Sequence, residues 1–275
     1  MESVRQSRAL MPTCARLGVT ETPCRLAPMT HPNHNSLPMP APTTHTLTEH
    51  TFEATRSSGA VSGLLLRPVD ADCLLVFAHG AGAGMRHAFM EAAAHRLADR
   101  EIATFRYQFP YVEQGRKRPD HQPILLKTVR SAVAKASAVA NGLPIYAGGK
   151  SMGGRMTSLA TAGEPLPGVR GLVFFGFPLH PAGRPGVERA EHLTRVALPM
   201  LLLQGTRDKL AELGLLTGLL TPICGGLSDT ATLQPIEGAD HSFHVLKRSG
   251  RTDDEVLDEL ADRTRAWIDT TTGGR

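Results

Sequence analysis

No apolar run in the 275 residues approaches the roughly 18 needed for a membrane-spanning helix. The N-terminus has no apolar core of the kind a secretory signal requires. Cysteine is scarce. Cys14, Cys24, Cys73 and Cys224 are widely spaced and form no C-x-x-C pair. A disulfide framework is therefore disfavoured, and a reduced, cytoplasmic compartment fits better. A basic stripe interleaved with aromatics is missing too. The net charge of +4 (pI about 9.0) comes largely from the first 30 residues and from Arg116-Lys117-Arg118. Neither a nucleic-acid partner nor a membrane partner is expected, and nothing calls for a metal or a cofactor. What remains is enough for a large buried core, since 41% of the residues are hydrophobic and 20% charged.

Residues 1–47 stand apart. Pro, Thr, Ser and His dominate, hydrophobic periodicity is absent, and arginines outnumber acids. They read as a disordered leader, or as sequence upstream of a true start at Met29 or Met39. An Arg-rich, acid-poor transit peptide is the alternative. Residues 48–275 read as one domain. Thr51–Arg56 and Val61–Arg67 predict an antiparallel hairpin around Ser57-Ser58-Gly59-Ala60. A continuous apolar run at Cys73–Ala78 predicts a strand covered on both faces, and Val169–Phe175 and Leu198–Leu203 read as further buried strands. Ile102–Phe105, Leu143–Gly148 and Ala231–Ile236 are shorter strands. Helices are expected at Arg86–Arg100, Asp120–Asn141, Met152–Ala162, Lys209–Leu220 and Glu255–Thr270. Alternating strands and helices imply an α/β fold: a mostly parallel sheet with helices on both faces.

Gly149-Lys150-Ser151-Met152-Gly153 lies between a strand and a helix. In that context G-x-S-x-G is a nucleophile elbow, a turn so tight that the serine is strained and the glycines two residues either side keep neighbouring side chains out of the way. A serine hydroxyl is a weak nucleophile near neutral pH. It needs a base within hydrogen-bond reach, and the base needs a carboxylate to fix its tautomer. After such an elbow the acid and then the histidine follow along the chain. Asp208, in Gln204-Gly205-Thr206-Arg207-Asp208, leaves the carboxyl end of a strand, where open α/β sheets place their chemistry. Its plainer role would be capping a helix near Lys209. His241, in Gly238-Ala239-Asp240-His241, follows the last strand. Asp240 and Asp229 are rival acids, and His244 is the fallback base. The backbone N–H of Met152 is one oxyanion donor. The other comes from His79-Gly80-Ala81-Gly82-Ala83-Gly84, with Ala81 favoured. A phosphate-cradling loop is the rival there, but neither G-x-G-x-x-G registration nor a following G-K-[ST] is present. His79 is expected to brace the loop.

Together these four motifs resemble the α/β-hydrolase superfamily over about residues 50–270. Phe105-Arg106-Tyr107-Gln108-Phe109-Pro110-Tyr111, running into Gly115–Pro119, and Phe177-Pro178-Leu179-His180-Pro181 narrow the match. They resemble the dienelactone-hydrolase-like branch, which includes testis-expressed hydrolase-like proteins and the hydrolase-like subunit of a histone acetyltransferase complex. The resemblance implies an α/β-hydrolase fold with Ser151, Asp208 and His241 as the triad. Dienelactone hydrolases proper carry a cysteine nucleophile where this elbow carries serine, so dienelactone itself is not implied. Gly176–Ala197 is too short for a helical cap domain, which implies an open site. Met152, Phe109, Tyr111 and Phe177 are candidates for an acyl pocket, or are packing. Lys150, Arg106 and Arg155 are candidates for a substrate carboxylate, or are solvated bases. The expected function is a serine esterase acting on a small acyl substrate through an acyl-enzyme. Thioester or peptide hydrolysis by the same triad is an alternative, as is a non-catalytic interaction module that keeps the fold. The oligomeric state is left open.

Overall fold

A computed structural model describes residues 44–220 and 230–272. The expectations for residues 1–43, and for Asp229 as a rival acid, lie outside the described residues. The elements run β1 (His45–Thr55), β2 (Gly59–Pro68), β3 (Cys73–Ala78), α1 (Ala88–Ala98), β4 (Ile102–Tyr107), α2 (Pro110–Glu113), α3 (Gln122–Val139), β5 (Ile145–Lys150), α4 (Met152–Gly163), β6 (Val169–Phe175), a 3₁₀ segment (Glu188–Arg195), β7 (Met200–Gly205), α5 (Leu213–Leu219), β8 (Ala231–Ile236), a 3₁₀ turn (Lys247–Ser249) and α6 (Asp253–Thr272). The strands form one eight-stranded sheet in the order β1-β2-β4-β3-β5-β6-β7-β8. β1 and β2 form the expected antiparallel hairpin, and β2 joins β4 antiparallel. All other neighbours are parallel.

Side chains on a strand alternate between faces, and the apolar runs split accordingly. Leu74, Val76, Leu172, Phe174, Met200 and Leu202 pack with α3 and α4. Leu75, Phe77, Val173, Phe175, Leu201 and Leu203 pack with α1 and α6 on the other face. An unbroken apolar sequence is what two buried faces require. Residues 45–47, assigned from sequence to the leader, belong to β1, where His45 lies opposite Pro68.

Chain direction across the sheet reverses between β3 and β5. β3 leads to β4 on one side, while β5 leads to β6, β7 and β8 on the other. The crevice at the carboxyl ends of these two strands is where such sheets place ligands. No helix among the described residues is long and apolar enough to cross a membrane.

Candidate active site

β5 ends at Lys150 and α4 begins at Met152, which leaves Ser151 alone to make the turn. Its backbone takes φ 50° and ψ −115°, a region that costs a non-glycine residue about 1–3 kcal/mol. The flanking glycines are required by contact. A Cβ on Gly149 would lie 2.4 Å from the Ala78 carbonyl oxygen, and one on Gly153 would lie 2.5 Å from it. The elbow is thus pressed against the end of β3.

Three side chains from separate loops meet here. His241 Nε2 is 2.8 Å from Ser151 Oγ, and His241 Nδ1 is 2.7 Å from Asp208 Oδ2. A carboxylate only accepts, so Nδ1 carries the proton and Nε2 presents its lone pair to the serine hydroxyl. The Asp208 side chain is wholly withdrawn from water. Its charge is met by three donors: His241, Gln204 Nε2 at 2.5 Å, and the Leu210 amide at 2.7 Å. Gln204 is itself buried, and its Oε1 accepts from the Phe177 amide at 2.9 Å, which fixes the orientation of its NH₂ group. Asp208 caps no helix at Lys209, because α5 starts only at Leu213. Asp240 does not contact the imidazole. Its Oδ1 accepts from the Ser242 and His244 amides and shapes the loop. His244 is exposed and paired with Asp253.

The Met152 amide opens α4, where N–H groups lack intrahelical acceptors. Neither it nor the Ala81 amide has an acceptor among the described residues. Gly80 abuts the elbow, since a Cβ there would lie 3.6 Å from Ser151 Cβ. His79 braces this loop as expected. Its Nε2 must accept from the Phe109 amide (3.2 Å), so Nδ1 donates to the Gly80 carbonyl (2.8 Å).

The crevice itself is a cavity of about 250 Å³, bordered by Gly80–Ala83, His87, Phe89, Met90, Lys150, Ser151, His241 and Ser242. Its apolar wall is thus the start of α1. The aromatics nominated from sequence are elsewhere: Phe109, Tyr111 and Phe177 are at most 1% exposed and belong to the core. Phe109 and Tyr111 pack on His79, and Phe177 packs on Phe174. The Met152 side chain also packs against the core. Arg106 is buried, donating to the Met85 carbonyl, and neither it nor Arg155 borders the cavity. Lys150 does border it, with Nζ donating to the His241 carbonyl at 2.5 Å. Gly176, directly after β6, lies beside Lys150 and His241, but the segment further on packs elsewhere: Ser158 on α4 meets His192 at 2.7 Å, and Leu193 is buried. None of it borders the cavity.

Residues 71–269 match the family model described as "Alpha/beta hydrolase domain". The chain belongs to that family. This α/β hydrolase is also similar in fold to solved structures. One is an alpha-beta serine hydrolase homologue from Coxiella burnetii, with TM-score 0.61, 18% identity, and 80% of this chain and 96% of that one covered. Another is an a/b serine hydrolase without lid from Xanthomonas campestris, with TM-score 0.60, 20% identity, and 80% and 94% covered. A third is a dienelactone hydrolase from Anabaena variabilis, with TM-score 0.57, 20% identity, and 82% and 98% covered.

Sequence reasoning passed over three parts of the hydrolase site. Gln204 stood in the quoted Gln204–Asp208 motif, but nothing in a lone glutamine signals a clamp on the acid. His180 accepts from the Glu212 amide at 3.1 Å and ties the acid loop to the segment after β6. Phe89 reads as helix packing because it recurs with Ala93 and Leu97 at a spacing of four, and nothing local singles out Met90.

The neutral state of His79 has a measurable consequence. Burial pulls its pKa down to about 4. Above about pH 6.5 the imidazole is neutral in both folded and unfolded chains. Below that the unfolded chain gains a proton that the native state refuses, so stability falls until about pH 4. The loss from this one group is on the order of 3 kcal/mol, at about 1.4 kcal/mol per pKa unit. His192, also held down to about 4 by burial and by Arg155 and Arg195, adds in the same direction. Melting temperature measured from pH 7 to pH 4 should fall steeply, and His79→Gln should flatten that slope.

Proposed function

We propose that this α/β hydrolase is a metal-free serine esterase for small acyl groups, working through an acyl-enzyme. One observation carries the assignment: the unbroken hydroxyl–imidazole–carboxylate chain Ser151–His241–Asp208, at 2.8 and 2.7 Å. Ser151 Oγ attacks the substrate carbonyl as its proton passes to His241 Nε2. The carbonyl π electrons move onto oxygen, and the Met152 and Ala81 amides stabilise that oxyanion. Each such donor is worth on the order of 10²–10³ in rate. Asp208 holds the imidazolium by its Nδ1–H. When the tetrahedral intermediate collapses, the C–O bond to the alcohol breaks and Nε2 returns the proton to the leaving oxygen. Water, deprotonated by the same nitrogen, then releases the acid and restores Ser151.

The cavity of about 250 Å³, walled by Phe89 and Met90, favours a short acyl chain. Lys150 forms part of that wall. On the segments at Phe105–Tyr111 and Phe177–Pro181, we place the chain in the dienelactone-hydrolase-like branch. Hydrolysis of p-nitrophenyl acetate and butyrate should show a pre-steady-state burst of one p-nitrophenol per active site, with activity falling for long-chain esters. A thioester or peptide substrate turned over in preference would reassign the bond. Absence of a burst and of turnover on all three classes would favour a non-catalytic module.

A further inference from the structure

The catalytic imidazole is held from two sides, and only one of them is the carboxylate. Lys150 lies directly before Ser151, and its Nζ donates to the backbone carbonyl of His241 at 2.5 Å. The same ammonium lies 5.2 Å from the ring centroid of Phe243 and 5.8 Å from that of Phe89. Those two rings stack on each other, with centroids 5.7 Å apart and planes at 14°. They come from different elements: Phe89 from α1, and Phe243 from the loop that carries His241. Phe243 has φ 65°, an unusual backbone for an aromatic residue, which turns it back toward the elbow. Space for the ammonium is made by Gly176, where a Cβ would come within 3.0 Å of Nζ and 3.7 Å of His241 Cε1.

We propose that Lys150 is a positioning residue for catalysis, fastening the His241 loop to the nucleophile elbow so that imidazole and hydroxyl stay in register; this rests on the hydrolase function proposed above. An ammonium has donors and no acceptor. One hydrogen is spent on the His241 carbonyl, and the positive charge is spread over two π faces. Nucleophile and base are thereby tied through adjacent residues, 150 and 151, rather than only through their own hydrogen bond. Methionine would fill similar volume but provide neither donor nor charge.

Charge supports the same role. Burial lowers the Lys150 pKa to about 8, while Asp208 and Asp240, the carboxylates that face it, oppose the shift. His87 and His241 border the same cavity. At neutral pH the lysine is charged and the clamp is closed. As pH rises through about 8 the charge is lost, and the cation–π component goes with it.

The test uses the full-length protein, the burst rate with p-nitrophenyl acetate, and melting temperature. Lys150→Met should slow acylation about ten- to a hundredfold, the usual consequence of misplacing a reacting group by about 1 Å. KM should stay within about twofold. Lys150→Gln keeps a neutral donor, so its loss should be smaller. The wild type should lose activity as pH rises through about 8, and that decline should be missing from the Lys150→Gln profile. Acylation in Lys150→Met at the wild-type rate, or a Lys150→Gln profile that keeps that decline, would overturn the assignment. If Lys150→Met does not fold, the Lys150→Gln profile decides alone. An inert wild type is a separate result: it removes the esterase function, and the positioning role with it.

Discussion

Ser151→Ala is expected to lower kcat for a short ester by roughly 10⁴–10⁶-fold, with little change in stability. The hydroxyl is the only group removed, and its only side-chain partner among the described residues is His241. The backbone strain at φ 50° is common to serine and alanine. The elbow is fixed by contacts that survive the substitution: the Ser151 amide to the Phe175 carbonyl at 3.1 Å, and Gly149 and Gly153 against the end of β3. Residual catalysis, if any, would come from the open amides of Met152 and Ala81 acting on a bound ester attacked by water. Steady-state kinetics and a melting curve on the same sample check both halves. A loss of activity accompanied by loss of the melting transition would say that the serine is structural.

Asp208→Asn should cost about 10⁴-fold in kcat. The carboxylate meets three donors, from Gln204, Leu210 and His241. An amide has one acceptor oxygen to offer them, so either orientation sets an N–H against a donor. Facing His241, the new NH₂ group would force the imidazole proton onto Nε2, which could then no longer take the serine proton. Facing Leu210, it would keep the tautomer but withdraw the negative charge that stabilises the imidazolium. Both routes leave the serine without an effective base. Residual activity should therefore rise with pH, as hydroxide replaces the imidazole. A variant within tenfold of the wild type would mean that Asp208 only anchors its loop.

Much of this arrangement is written locally. A strand is apolar where both its faces are covered, so Cys73–Ala78 and Leu172–Phe175 are legible, and so is the sheet they imply. The elbow is legible because close approach to β3 leaves only glycine at 149 and 153. Asp208 and His241 follow from strand ends and chain order. The misreadings share one cause, which is that tertiary partners decide what local pattern leaves open. Lys209–Leu220 looks helical from its sequence, yet its first residues serve other partners. The Leu210 amide goes to Asp208 and the Glu212 amide to His180, so the helix starts at Leu213. Phe109 and Phe177 follow the ends of β4 and β6, and Tyr111 sits in the short α2, which suggested a pocket wall. Their rings turn inward onto His79 and Phe174 instead. The reach of Lys150 to the His241 carbonyl spans 91 positions and leaves no local trace.

The central claim is that Ser151 is an activated nucleophile, and covalent capture addresses it most directly. The protein should be incubated with a fluorophosphonate, digested, and the adduct located by mass spectrometry. A single adduct on Ser151, slowed by Asp208→Asn and absent from Ser151→Ala, is the predicted result. No adduct on the folded protein, or one on a different serine that persists in Ser151→Ala, would contradict it.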